Sequence, residues 1–130
     1  MIEKKWKVIF YINADSKSEL YEYINSLKEN QRSKVVSWLV LLSEKGPELS
    51  RPYADLLEDG IHELRIKISG NQLRVLYFFC FKDNIVLTNS FIKTTDRVPK
   101  NEIITAKKLR EDFLSRFTES NIGRIYHENT

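Results

Sequence analysis

Three runs rich in β-branched and aromatic residues dominate the middle of the chain. The first is Ile61-His62-Glu63-Leu64-Arg65-Ile66-Lys67-Ile68, the second Gln72-Leu73-Arg74-Val75-Leu76-Tyr77-Phe78-Phe79-Cys80-Phe81, and the third Ile85-Val86-Leu87-Thr88-Asn89-Ser90-Phe91-Ile92-Lys93. Ser69-Gly70-Asn71 and Lys82-Asp83-Asn84 separate them. Strand formers in the runs and turn formers between them predict a three-stranded antiparallel meander.

The apolar alternation then fixes which side chains share a face. Leu64, Ile66 and Ile68 point one way, and Arg65 and Lys67 the other. With Gly70-Asn71 as a two-residue loop, Ser69 faces Gln72, Lys67 faces Arg74 and Arg65 faces Leu76. Leu73, Val75, Tyr77 and Phe79 join the apolar face. A slip by one residue would set Arg74 among apolar side chains, so this parity is selected. In the second hairpin a loop of Asp83-Asn84 pairs Lys82 with Ile85 and puts Lys93 opposite Arg74, whereas a three-residue loop sends Lys93 to the other face. The two-residue loop is expected, because Asx residues tolerate the left-handed backbone of tight hairpins.

Arg65, Lys67, Arg74 and Lys93 then form one cationic patch. Like charges opposite each other across a ladder are destabilising. A sheet that keeps them needs a carboxylate neighbour or an anionic ligand.

A chain of 130 residues supports one domain with a core, and nothing in the composition marks a second. The net charge is only +3, so the clustering of cations, and not their total, carries any nucleic-acid argument. The single cysteine, Cys80, reads as a small buried hydrophobe. No run approaches the ~18 apolar residues of a membrane helix, and the N-terminus lacks a signal-peptide pattern. A cytoplasmic location is the expectation.

Around the meander, residues 6–12 predict an outer strand. Ser16-Lys17-Ser18-Glu19 has capping-box spacing and opens a helix with Leu20, Tyr23, Ile24 and Leu27 on one face. A second helix places Val35, Trp38, Leu39 and Leu42 inward and ends at Gly46-Pro47. Both helices are expected to cover the apolar sheet face, with Trp38 as core packing. Residues 48–59 read as a connecting loop. Pro99 suits the first turn of a third helix whose buried stripe is Ala106, Leu109, Phe113 and Phe117.

The sequence has no metal-ligand spacing and no phosphate-binding glycine loop. His62 falls on the Leu64 and Ile66 face and reads as a core or edge histidine. The cationic patch is what remains. RNA cleavage by the neighbouring 2′-hydroxyl needs a proton acceptor, cations on the pentavalent phosphate and a proton for the leaving 5′-oxygen. Packed Arg and Lys supply the second directly. A solvated face with its charges paired to Glu and Asp is the alternative.

The order of Gly60-Ile61-His62-Glu63-Leu64-Arg65, Asn71-Gln72-Leu73-Arg74-Val75-Leu76-Tyr77-Phe78-Phe79, Phe91-Ile92-Lys93-Thr94-Thr95, Pro99-Lys100-Asn101-Glu102-Ile103 and Ala106-Lys107-Lys108 resembles HigB-type toxins, a phage-derived branch of the RelE/ParE toxin superfamily. The resemblance implies an α+β, RelE-like fold. Two N-terminal helices pack on a mostly antiparallel four-stranded sheet, and a C-terminal helix follows. Residues 1–117 form the toxin domain and residues 118–130 a polar tail.

It also implies a type II toxin: a ribosome-dependent mRNA endoribonuclease that works without metal or cofactor. Its partners would be a HigA-like helix-turn-helix antitoxin and mRNA on the ribosome, with operator DNA bound only through the antitoxin complex. By similarity, Arg74 and Lys93 bind the phosphate and transition state, and Arg65 or Lys67 transfers a proton or contacts phosphate. Many relatives have a lysine where this chain has Thr94, so Arg97 or Lys100 is expected to supply that phosphate-binding cation. The tyrosine or histidine that some relatives use has no obvious counterpart after Lys93. A ParE-like topoisomerase poison and a non-catalytic nucleic-acid or protein-binding module are the alternatives.

Overall fold

Strand formers broken by turn residues pair locally first, and the computed structural model, which describes residues 5–123, shows that pairing extended into a five-stranded sheet. The strands are β1 (Lys7–Phe10), β2 (Ala54–Glu58), β3 (Ile61–Ile68), β4 (Asn71–Cys80) and β5 (Asn84–Ile92), in the order β1-β5-β4-β3-β2. Helices α1 (Glu19–Ser26) and α2 (Glu29–Lys45) lie between β1 and β2, and α3 (Lys100–Arg116) follows β5.

The expected four-stranded sheet is corrected in two respects. Residues 48–59, expected as a loop, contribute β2, antiparallel to β3. A bulge between Leu56 and Glu58 interrupts its alternation, so the adjacent leucines hide the period of two. β1 is an outer strand as expected, but it runs parallel to β5, which makes the sheet mixed.

Register is corrected too, and its parity survives. The β3–β4 turn is Ser69-Gly70, because Ile68 pairs with Asn71. Both turn residues have positive φ, 46° and 82°, as a tight I′ hairpin requires. Pairing therefore shifts by two residues: Arg65 faces Arg74, and Lys67 faces Gln72. A shift of two keeps every side chain on its face, so the apolar pattern could not detect it.

In the second hairpin Cys80 pairs with Asn84, leaving the three-residue loop Phe81-Lys82-Asp83, with Phe81 at φ 56°. That loop alone would send Lys93 to the far face. A bulge between the Val75 and Tyr77 pairs adds one residue on β5 and cancels the change. The Lys93 N–H donates to Gln72 O at 2.8 Å, so Lys93 stands opposite Gln72, on the Arg74 side.

Each sheet face has its own core. On one, Leu64, Ile66, Ile68, Leu73, Val75, Tyr77, Ile85 and Leu87 pack beneath α1 and α2 with Leu20, Ile24, Val35 and Leu42. Trp38 lies partly buried against this layer. On the other, Ile9, Ile61, Leu76, Phe78 and Val86 pack beneath α3 through Ala106 and Phe113. Phe113 is fully buried and meets Phe78 edge-on at 6.0 Å between centroids. The third helix thus covers the lower part of the face that carries the cations.

Local chemistry sets the helix ends. Ser18, two residues past the expected capping position, is the N-cap of α1: its Oγ accepts from the Tyr21 N–H at 3.1 Å. Ser16 belongs instead to a turn closed by Asn13 Oδ1, which accepts from the Asp15 and Lys17 amides. Gly46 ends α2 at φ 52°, where any β-carbon would collide with the Trp6 indole. Of the expected tail, residues 118–123 turn back and bury Ile122 against the α3 layer. Residues 124–130 lie outside the described residues.

Candidate functional site

The corrected register arranges the cationic face in rows. Lys67, Gln72 and Lys93 form one row across β3, β4 and the end of β5. Arg65, Arg74 and Phe91 form the next, and Glu63 with Leu76 the row after, with Asp55 of β2 beside Glu63. Strands ~4.8 Å apart and a rise of ~3.3 Å per residue place the four cationic backbone positions within roughly 12 Å of one another. Side chains of that length can converge on one phosphodiester.

The two arginines are not equivalent. Arg74 is 5% exposed, and its Nε lies 3.0 Å from Glu63 Oε1. Its Nη1 donates to Gln72 Oε1 at 3.2 Å and to Leu73 O at 3.5 Å. Burial lowers the Arg74 pKa, and the Glu63 charge opposes that effect. The Arg65 side chain is 27% exposed, with Nε 3.6 Å from Glu63 Oε2. The carboxylate itself is only 2% exposed. Glu63 Oε1, Arg65 Nε and Arg74 Nε are buried without an aligned hydrogen-bond partner, so the three groups meet as ion pairs rather than as well-directed hydrogen bonds.

Neither Lys67 nor Lys93 has an acid within ion-pair distance among the described residues. Lys67 is exposed and Lys93 half-buried. Arg97 is exposed on the connection into α3, where its carbonyl accepts from Thr95 Oγ1, and Lys100 is exposed at the first position of α3. Neither lies in the rows of β3, β4 and β5 that hold the four strand cations. The structure therefore brings Arg65, Lys67, Arg74 and Lys93 onto one face, with Arg74 behind it.

Glu63 is the residue that the pairing argument asked for without naming. Its signal was the period of two, since it lies on the same side of β3 as Arg65 and Lys67. His62 faces the other way, stacked on Tyr77 at 5.2 Å and edge-on to Phe79 at 5.0 Å. Burial lowers its pKa. Cys80 is half-buried, and burial pushes its thiol up to about 11, which removes thiolate character near neutrality. No group of three or more His, Cys, Asp or Glu able to hold a metal occurs among the described residues. A cavity of about 480 Å³ opens beside β5, between Leu20 and Tyr23 of α1 and Thr105 and Leu109 of α3. None of the four cations lines it.

The sheet is mixed and presents a basic face, with two helices on the opposite side and one over its lower end, and the family match that falls on it is to a RelE/toxin-like family. The chain belongs to the family described as phage-derived protein Gp49-like (DUF891), whose model matches residues 22–111. That span includes all six cations considered above. No curated protein matches the chain.

Proposed function

We propose that the protein is a HigB-type toxin of a type II toxin–antitoxin pair that cleaves mRNA on the ribosome. The observation that carries this reading is the gathering of Arg65, Lys67 and Lys93 around Arg74 on one face of three adjacent strands. Membership of a toxin-like family supports it. In the reaction the 2′-hydroxyl loses its proton to solvent as its oxygen attacks phosphorus, and the bond to the 5′-oxygen breaks as that oxygen gains a proton. The ends left are a 2′,3′-cyclic phosphate and a 5′-hydroxyl.

Negative charge grows on the non-bridging oxygens as the phosphorane forms, and donors already in place there lower the barrier most. The exposed side of Arg65 offers paired N–H donors to those oxygens. The ammonium groups of Lys67 and Lys93 add charge, and either can pass a proton to the departing 5′-oxygen. Arg97 and Lys100 contact flanking phosphates. A HigA-like helix-turn-helix antitoxin neutralises the toxin and alone carries the pair to operator DNA. Its mRNA target places the protein in the cytoplasm. No helix among the described residues is long and apolar enough to cross a membrane.

Induced expression followed by mapping of RNA 5′-hydroxyl ends tests the reading. New ends inside translated messages are expected for the parent protein and not for Arg65→Ala. The burial of Arg74 against Glu63 favours the absence of RNA cleavage, under either of two other readings: a ParE-like poison, or a nucleic-acid- or protein-binding module that does not cut. DNA breaks, or harmless expression, without new RNA ends would establish it.

A further inference from the structure

We infer that Glu63 is a positioning residue which aims Arg65 at the reacting phosphate and holds Arg74 behind it as a buried counter-charge, so that Arg65 and not Arg74 is the phosphate ligand. The inference rests on the RNA-cleaving reading for its catalytic half and on geometry alone for its binding half. Arg65 and Arg74 are direct partners across the β3–β4 ladder, where like charges repel. Glu63 gives one oxygen to each, Oε1 to Arg74 and Oε2 to Arg65, and reaches both through Nε.

That mode of attachment settles what each guanidinium has left. Arg74 spends Nη1 on Gln72 and Leu73 and is closed off from solvent. The Nη groups of Arg65 have no acceptor among the described residues, and its side chain reaches the surface beside Lys67. A guanidinium whose Nε lies against a carboxylate presents its two Nη groups as parallel donors, the geometry that fits two oxygens of one phosphate. The carboxylate cancels one of the two guanidinium charges and leaves the trio with a net positive charge directed outward.

A purely structural network of buried ions is expected to align its hydrogen bonds, because unaligned buried charges are costly. Here Glu63 Oε1 and both Nε atoms lack aligned partners.

The test uses inorganic phosphate as probe and the arginine Nε–H signals of the full-length protein as readout. In the parent protein the Arg65 signal is expected to move on titration and the Arg74 signal to stay. Movement of Arg74 alone, or of neither, overturns the inference whether or not the protein cuts RNA. Glu63→Gln is expected to bind phosphate about tenfold more tightly, since one nearby negative charge is gone. It should nevertheless cleave RNA about 10–100-fold more slowly, with the loss in kcat rather than KM, because the guanidinium is no longer aimed.

In an Arg65→Ala background the same change should cost nothing further. Equal losses in both backgrounds, or unchanged phosphate affinity, would show that Glu63 only holds the fold. Should Glu63→Gln unfold, the paired change Glu63→Gln with Arg74→Met removes the stranded charge and takes the same measurements.

Discussion

Arg74 shows how a residue can be central to a site and still be a poor probe of it. Its guanidinium is buried, and truncation to Ala strands Glu63 beside Arg65 alone. Breaking a buried pair from one side costs about 3–5 kcal/mol. Arg74→Ala is therefore expected to lower the urea midpoint strongly, so any loss of toxicity would report folding. Arg65→Ala removes a part-exposed side chain and should leave the midpoint nearly unchanged, while slowing cleavage about 10²–10³-fold. On the opposite face, His62 is held neutral by burial. Below its ordinary value of 6.5 the unfolded chain binds the proton that the folded chain refuses, so stability falls as pH drops below 6.5. Thermal midpoints across that range, with His62→Phe as the comparison, should show a smaller acid loss in the variant.

At the scale of elements, the placement of the cations depends on two hairpins and a bulge. Ser69 occupies a left-handed position that suits Asn or Gly better. Ser69→Asn is expected to raise stability by a few tenths of a kcal/mol, up to about 1, without changing register. Gly46 has no such freedom: Gly46→Ala meets the Trp6 ring and a positive φ together, and should cost about 2 kcal/mol or more by denaturant unfolding.

Much of this layer was legible in the sequence. The β3, β4 and β5 runs, the three helices in outline and the parity of Arg65, Lys67 and Arg74 follow from apolar spacing and turn residues. What was hidden has physical causes. Apolar alternation cannot see a two-residue slip, so the partner of Arg74 was misread. A three-residue loop and a bulge cancel in parity, so the expected face for Lys93 was reached by a different route. A bulged, acid-bearing edge strand, β2, lacks the alternation that announces strands. Glu63 sat in view on β3, but its burial depends on Arg74 from the next strand.

For the molecule as a whole, the two sheet faces divide the work. One packs its core beneath α1 and α2 and serves stability. The other is covered by α3 only at its lower end, which leaves the upper rows open. Their charge is partly spoken for: Arg65 and Arg74 share a single carboxylate, while Lys67 and Lys93 have no acid partner among the described residues. The face is thus neither a fully neutralised surface nor four bare cations. Binding of RNA to it should weaken as salt rises, and each cation removed should flatten that dependence by about 0.7 of a unit of log–log slope.

The most direct measurement is the single-turnover rate on ribosome-bound mRNA for the parent protein and the Lys67→Ala/Lys93→Ala double variant, with thermal midpoints recorded alongside. The account predicts an intact fold and cleavage reduced by about 10³-fold or more, since both ammonium groups face the open rows and neither supports the core. Cleavage at the parent rate by a fully folded double variant would contradict it.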